Sequence, residues 1–285
     1  MEIIAKIKEI QEKSSCLRAK NKEIGFVPTM GALHQGHISL IEKCKEGNDW
    51  TIVSIFVNSI QFNDQDDLNF YPRPLDEDLD ICRRFKVDTV FIPSIKEMYP
   101  EDQLTFVNVN KLSTNLCGKY RPGHFQGVAT VVTKLFNITK PHRAYFGLKD
   151  YQQVEIVKRL VKDLNFDLEI ITLPTVRNEG NLALSSRNKD LTLEEQKRAV
   201  ILSQSLRKAF SLLEKDVKDP KLIIKQMNSL INQEPLAEIE YIKICDPAYL
   251  TDLDYINKEA LVALAVRFGK VRLIDNLVWK KEEHV

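Results

Sequence analysis

Apolar residues in the first part of the chain follow two alternating rhythms. Short runs rich in β-branched and aromatic residues predict strands at 24–27, 51–57, 89–92, 144–146 and 168–172. The run at 51–57 (TIVSIFV) is nearly continuous, as in a strand buried on both faces. Pro28 and Pro93 close two of these runs. Between them, helical spacing predicts helices at 38–44, 76–85, 127–138 and 151–164. The helix at 76–85 has an acidic first turn, which complements the helix dipole, and Pro141 follows the one at 127–138. Ile3, Ile4, Ile7, Ile10 and Leu17 predict one amphipathic helix over the first twenty residues. Repeated strand-then-helix units predict a parallel sheet with helices on both faces, a Rossmann-like doubly wound α/β domain assigned to 1–175.

The pattern changes after Pro174. Helical spacing over 192–213 begins with a capping box, Thr192 and Glu195, and a second helix is predicted at 221–231. Strand-like runs follow at 239–244, 260–266 and 271–274. Helices followed by strands predict a smaller α+β domain over 176–285.

Charge narrows the partners. Among 285 residues, 41 are Lys or Arg and 40 are Asp or Glu, a formal net charge of +1. No global field draws the protein to nucleic acid or to an anionic membrane, so phosphate recognition has to be local. No apolar run approaches the roughly 20 residues that span a bilayer, and charges from Glu2 to Lys13 break up any signal-peptide core. The five cysteines have no short metal-ligand or redox spacing, which predicts reduced thiols and a cytoplasmic protein.

Candidate chemistry sits where strands give way to helices. The segment PTMGALHQGH joins the first predicted strand to the next helix and contains Met30, Gly31, Ala32, Leu33, His34, Gln35, Gly36 and His37. In an open α/β sheet, ligands lie at the carboxyl ends of strands against helix N-termini. Two histidines three apart can face a phosphate there and stabilise charge that builds on it. Taken alone the segment also fits a surface turn, or half of a metal site that lacks a third ligand at recognisable spacing. Gly147, Leu148, Lys149 and Asp150 follow another strand, with Gln153 one turn into the next helix. Lys149 would supply a point charge for phosphate and Asp150 a helix cap. Leu184, Ser185, Ser186 and Arg187 form a polar loop suited to a mobile phosphate clamp. Asn58 and Gln61 lie at the end of the 51–57 strand, and RPGHFQG (121–127) is a Gly-containing turn into a helix.

Together these segments resemble the pantothenate synthetase family of the H-x-G-H nucleotidyltransferases. The resemblance runs from residue 24 to 276 and is carried by PTMGALHQGH, SIFVNSIQF, YPR (71–73), RPGHFQGV, KLFN (134–137), FGLKDYQQ, LSSRN and RLIDN (272–276). It implies ATP, Mg²⁺, pantoate and β-alanine as ligands, and a homodimer. On this sequence, ATP is expected along Met30–His37, at Gly147, Leu148, Lys149 and Asp150, at Val176, and at Leu184, Ser185, Ser186 and Arg187. Pantoate is expected at Gln61 and Gln153, with β-alanine also at Gln61. His37 matches the proton donor. His34, Lys149 and Arg187 complete the catalytic set, and Asp78 is expected near Mg²⁺. The chain departs from the family pattern at Ser59 (usually Pro), Leu148 (usually polar), Cys117 (usually Glu) and Gly180, which stands one position before the usual glycine. An H-x-G-H enzyme acting on another small acid or phosphate ester, or an inactive nucleotide-binding module, remains the alternative.

Overall fold

Five parallel strands form where the sequence predicts them, and a sixth joins from a segment expected to be helical. The computed structural model describes residues 1–281. The chain forms two compact units. One comprises Met1–Ser113, Arg121–Leu148 and Gln153–Pro174, and the other Thr114–Tyr120, Lys149–Gln152 and the chain from Thr175.

In the first unit the strands are β1 (Glu2–Ile4), β2 (Ile24–Thr29), β3 (Trp50–Ile55), β4 (Thr89–Phe91), β5 (Arg143–Gly147) and β6 (Glu169–Leu173). The helices up to β6 are α1 (Ile7–Ala19), α2 (Gln35–Gly47), α3 (Gln65–Phe70), α4 (Leu75–Arg84), α5 (Ile95–Met98), α6 (Cys117–Tyr120), α7 (His124–Thr139) and α8 (Tyr151–Asp163). The sheet order is β1-β4-β3-β2-β5-β6, all parallel. From β2 the chain winds outward through β3 and β4, then returns to β5 on the other side of β2. The switch point therefore lies between β2 and β5, where open α/β sheets bind ligands.

Alternation along β2 sends side chains to opposite faces. Val27 joins Val53, Val90, Ile41, Cys44 and Leu79 in one core, against α2 and α4. Phe26 points the other way and meets the edge of Phe136 on α7, 6.4 Å between ring centres. Helices thus cover both faces, and the fold is the expected doubly wound α/β domain.

Two expectations fail locally. Residues 2–4 are a strand in register with β4 (Ile3 beside Val90), and α1 begins only at Ile7. The helix expected over 192–213 is two, α9 (Leu193–Arg198) and α10 (Ile201–Glu214).

In the second unit α10 and α11 (Pro220–Ile231) pack with an antiparallel sheet of β7 (Ala237–Cys245), β8 (Glu259–Phe268) and β9 (Val271–Lys280), in that order. Leu202, Leu206, Ile223, Met227, Val262, Leu264 and Trp279 share its core. This is a small α+β fold, as the sequence predicts. No helix among the described residues is long and apolar enough to cross a membrane.

Candidate active site

The turn after β2 is held from below. Gly31 has φ +81° and Ala32 φ +51°, so two successive residues take the left-handed region, which alanine seldom enters. Asp78, in the first turn of α4 and 1% exposed, keeps them there. Its Oδ2 accepts the Ala32 N–H at 2.8 Å and its Oδ1 accepts the Leu33 N–H at 2.7 Å. Each Asp78 oxygen thus accepts one backbone amide, and the carboxylate anchors this turn. No cluster of three or more His, Cys, Asp or Glu able to hold a metal exists among the described residues.

His34 and His37 cap α2 together. The Gly36 N–H donates to His34 Nδ1 at 3.1 Å, and the His34 N–H donates to His37 Nδ1 at 3.3 Å. The rings lie 4.1 Å apart. A nitrogen that accepts a hydrogen bond carries no proton, so the neutral form of each ring has its proton on Nε2. The cap therefore sets the tautomer of both histidines and makes each Nε2 a donor at a helix N-terminus, the arrangement that suits an anion.

Gln61 ends a 3-10 turn (Ser59–Gln61) after β3 and is buried. The RPGHFQG segment grips its backbone. His124 Nδ1 lies 2.8 Å from the Gln61 carbonyl oxygen, which can only accept, so Nδ1 donates. His124 Nε2 then accepts from Arg121 Nη1 at 3.2 Å. Gln153 is half-buried on α8, and Gly147 and Leu148 leave the end of β5.

In the second unit Val176 and Leu184 are brought together, the Leu184 N–H donating to the Val176 carbonyl at 2.9 Å. Ser185 caps a 3-10 turn (Ser186–Asp190) through the Arg187 N–H at 3.3 Å. Lys149 Nζ lies 3.2 Å from each Asp150 oxygen. The RLIDN segment, matched in sequence without an assigned role, supplies the supports. Asn276 Nδ2 donates to the Lys149 carbonyl at 2.8 Å. The Asp275 side chain, 2% exposed, takes the Arg177 guanidinium in two bonds of 2.6 and 2.8 Å. Asn181 has φ +66°, so the displaced glycine is made good by asparagine, which tolerates this conformation better than most residues. Cys117 Sγ lies 3.2 Å from the Tyr241 hydroxyl and 3.6 Å from Arg272 Nη2. Asn276 and Asp275 were not among the expected site residues, because their partners lie about a hundred positions away in sequence.

A family model described as pantoate-beta-alanine ligase matches residues 2–278. The pantothenate synthetase of Acetivibrio thermocellus is 50% identical over 278 residues, 98% of this chain and 99% of that protein. That of Thermosipho africanus is 50% identical over 278 residues, 98% and 100%. The crystal structure of pantothenate synthetase from Thermus thermophilus superimposes with a TM-score of 0.91 at 39% identity, covering 97% of this chain and 99% of that one. Pantoate-beta-alanine ligase from Francisella tularensis, complexed with beta-gamma ATP and beta-alanine, gives a TM-score of 0.81 at 42% identity, covering 98% and 97%. These likenesses extend over nearly the whole sequence, and the chain belongs to the pantoate–β-alanine ligase family.

Proposed function

We infer that the chain condenses pantoate with β-alanine at the expense of ATP, releasing pantothenate, AMP and pyrophosphate through a pantoyl-adenylate. The observation that carries this reading is the histidine cap of α2. Its hydrogen bonds occupy Nδ1 of His34 and of His37 and leave Nε2 of each as the other ring nitrogen, at the end of the strand beside the switch point.

The chemistry follows from the reactants. A free carboxylate acylates poorly because its leaving group would be oxide. Attack of a pantoate oxygen on the α-phosphorus forms a mixed anhydride and breaks the bond to pyrophosphate. The unprotonated amine of β-alanine then attacks the acyl carbon, AMP departs, and the amine's extra proton is lost. No protein nucleophile is needed. Negative charge gathers around phosphorus in the first step, and His34, His37, Lys149 and Arg187 are the groups suited to meet it. His37 serves as the proton donor to phosphate. Met30–His37, Gly147, Leu148, Lys149, Asp150, Val176 and Leu184–Arg187 take ATP. Gln61 and Gln153 take pantoate, and Gln61 also takes β-alanine. Mg²⁺ arrives with the nucleotide, since this ion is commonly held by phosphates, water and one or two carboxylates rather than by a protein cage.

In this reading residues 1–175 bind ATP and pantoate and 176–285 act as a lid that keeps water from the anhydride. The protein acts in the cytoplasm as a homodimer. The test is mass spectrometry of the products from ATP, pantoate and β-alanine. Pantothenate with AMP is expected. A nucleotidyl ester of another acceptor, or no turnover, would overturn the assignment.

A further inference from the structure

A backbone carbonyl in α7 decides which end of a distant glutamine faces the substrate. The Gly127 carbonyl oxygen lies 3.1 Å from Asn58 Nδ2. A carbonyl only accepts, so this contact fixes which end of the Asn58 amide is nitrogen. The same Nδ2 donates its other hydrogen to Gln61 Oε1 at 2.8 Å. On the opposite side, Asn58 Oδ1 accepts the Tyr99 hydroxyl at 2.6 Å. Asn58 is 1% exposed. Turning its amide over would break all three bonds in a place without water to replace them. Burial pushes the Tyr99 phenol well above its ordinary value, so it keeps its proton and remains a donor.

Gln61 inherits this order. Its Oε1 is held by Asn58, and its Nε2 is turned the other way, 3.1 Å from Met30 Sδ in the turn after β2. Its backbone is fixed independently by His124. Gly127 permits the approach, because a Cβ there would lie 2.7 Å from Gln61 Cα and from the Ile60 carbonyl.

We propose that Tyr99 and Asn58 are positioning residues that set the polarity of Gln61, so that its remaining Nε2 N–H, rather than Oε1, is the end offered to the bound acid. Gln61 thereby selects a ligand with a hydrogen-bond acceptor at that point, a carboxylate or hydroxyl oxygen, and discriminates against one that presents an ammonium there. This rests on the reading of Gln61 as a pantoate residue.

Tyr99→Phe is the first test. The ring that lies 5.9 Å from Phe56 stays, and only the hydroxyl is lost. The expected result is a pantoate KM raised roughly five- to tenfold, the scale of one buried hydrogen bond, with ATP KM unchanged and Tm lowered, because Asn58 Oδ1 loses its buried donor. Gln61→Glu keeps the shape but removes both N–H donors, and should impair pantoate use at least as much as Gln61→Ala. An unchanged pantoate KM in Tyr99→Phe, an equal rise in both KM values, or a normal pantoate KM in Gln61→Glu would each overturn the relay. Gln61→Ala separates the two readings. If it leaves pantoate KM unmoved, the placement of pantoate fails. If it raises pantoate KM while Tyr99→Phe does not, the relay alone fails.

Discussion

Asp78 holds Ala32 in the left-handed region by accepting its N–H at 2.8 Å, and the same carboxylate takes Leu33 at 2.7 Å. Asp78→Asn puts an amide N–H₂ against one of these donors and leaves it without an acceptor in a buried site. The cost should be about 1–3 kcal/mol of stability, read as a lower Tm. ATP KM should rise, because the turn that carries His34 and His37 loses its support. The Mg²⁺ concentration for half-maximal rate should not move. A shifted Mg²⁺ dependence with unchanged stability would instead mark Asp78 as a metal ligand.

His37→Ala and Lys149→Ala should each lower kcat about 100-fold or more, the scale of losing a donor aimed at developing charge. His37→Ala also removes the acceptor of the His34 N–H, so its Tm should fall by the equivalent of about 1 kcal/mol. Lys149 Nζ bonds to its sequence neighbour Asp150, a contact that the unfolded chain also allows, so its removal should leave Tm close to wild type. Steady-state kinetics beside thermal melts decide this. Near-wild-type kcat in both variants would remove these residues from the chemistry.

Much of this arrangement was legible in the sequence, and the gaps have physical causes. The β2–turn–α2 unit announced itself because strand, proline and two histidines fall within fourteen residues of one another. β1 did not, because Ile3 and Ile4 continue the helical spacing of α1, and only the pairing of Ile3 with Val90 shows them extended. The break between α9 and α10 is invisible to periodicity, since Ala199 and Val200 keep helical dihedrals and no Gly or Pro marks the spot. The sequence gives no sign that Asp78 also anchors a turn, because the backbone amides it accepts lie 45 and 46 positions earlier. Tyr99 carries no local signal, and Asp275 and Asn276 are matched only within RLIDN, with no role attached. Their partners Asn58, Arg177 and Lys149 become neighbours only in the fold.

His142 should make the first unit sensitive to mild acid. Its Nδ1 accepts the Ile24 N–H at 2.8 Å, its own backbone N–H donates to the Ile24 carbonyl, and its carbonyl takes the Glu169 N–H, tying β2 to the start of β6. Burial, and then the nearby Arg18, hold its pKa below the ordinary histidine value of about 6.5. As pH falls, the unfolded chain therefore takes up the proton before the folded one. The stabilisation is complete above about pH 6.5 and is lost as pH falls through the lower folded value. Melts of wild type and His142→Gln should show a Tm gap that narrows between pH 7.5 and pH 5. A gap that stays constant over that range would contradict the assignment.

Activation and amide formation should be separable. His34 and His37 stand at a helix N-terminus with no requirement for an amine, so the first step can run without the second. With ATP, Mg²⁺ and pantoate alone, labelled pyrophosphate should exchange into ATP, because attack on the α-phosphorus is reversible while the anhydride stays bound. When β-alanine is added, a carboxylate oxygen from labelled pantoate should appear in AMP, since that oxygen bridges the acyl carbon and phosphorus in the adenylate and leaves with phosphorus. The competing route attacks the γ-phosphorus, forms an acyl phosphate and releases ADP. It would give no pyrophosphate exchange, and the label would appear in inorganic phosphate. The two routes thus differ in nucleotide product, in exchange and in the fate of one oxygen. ADP with labelled phosphate would refute the adenylate even if pantothenate were formed.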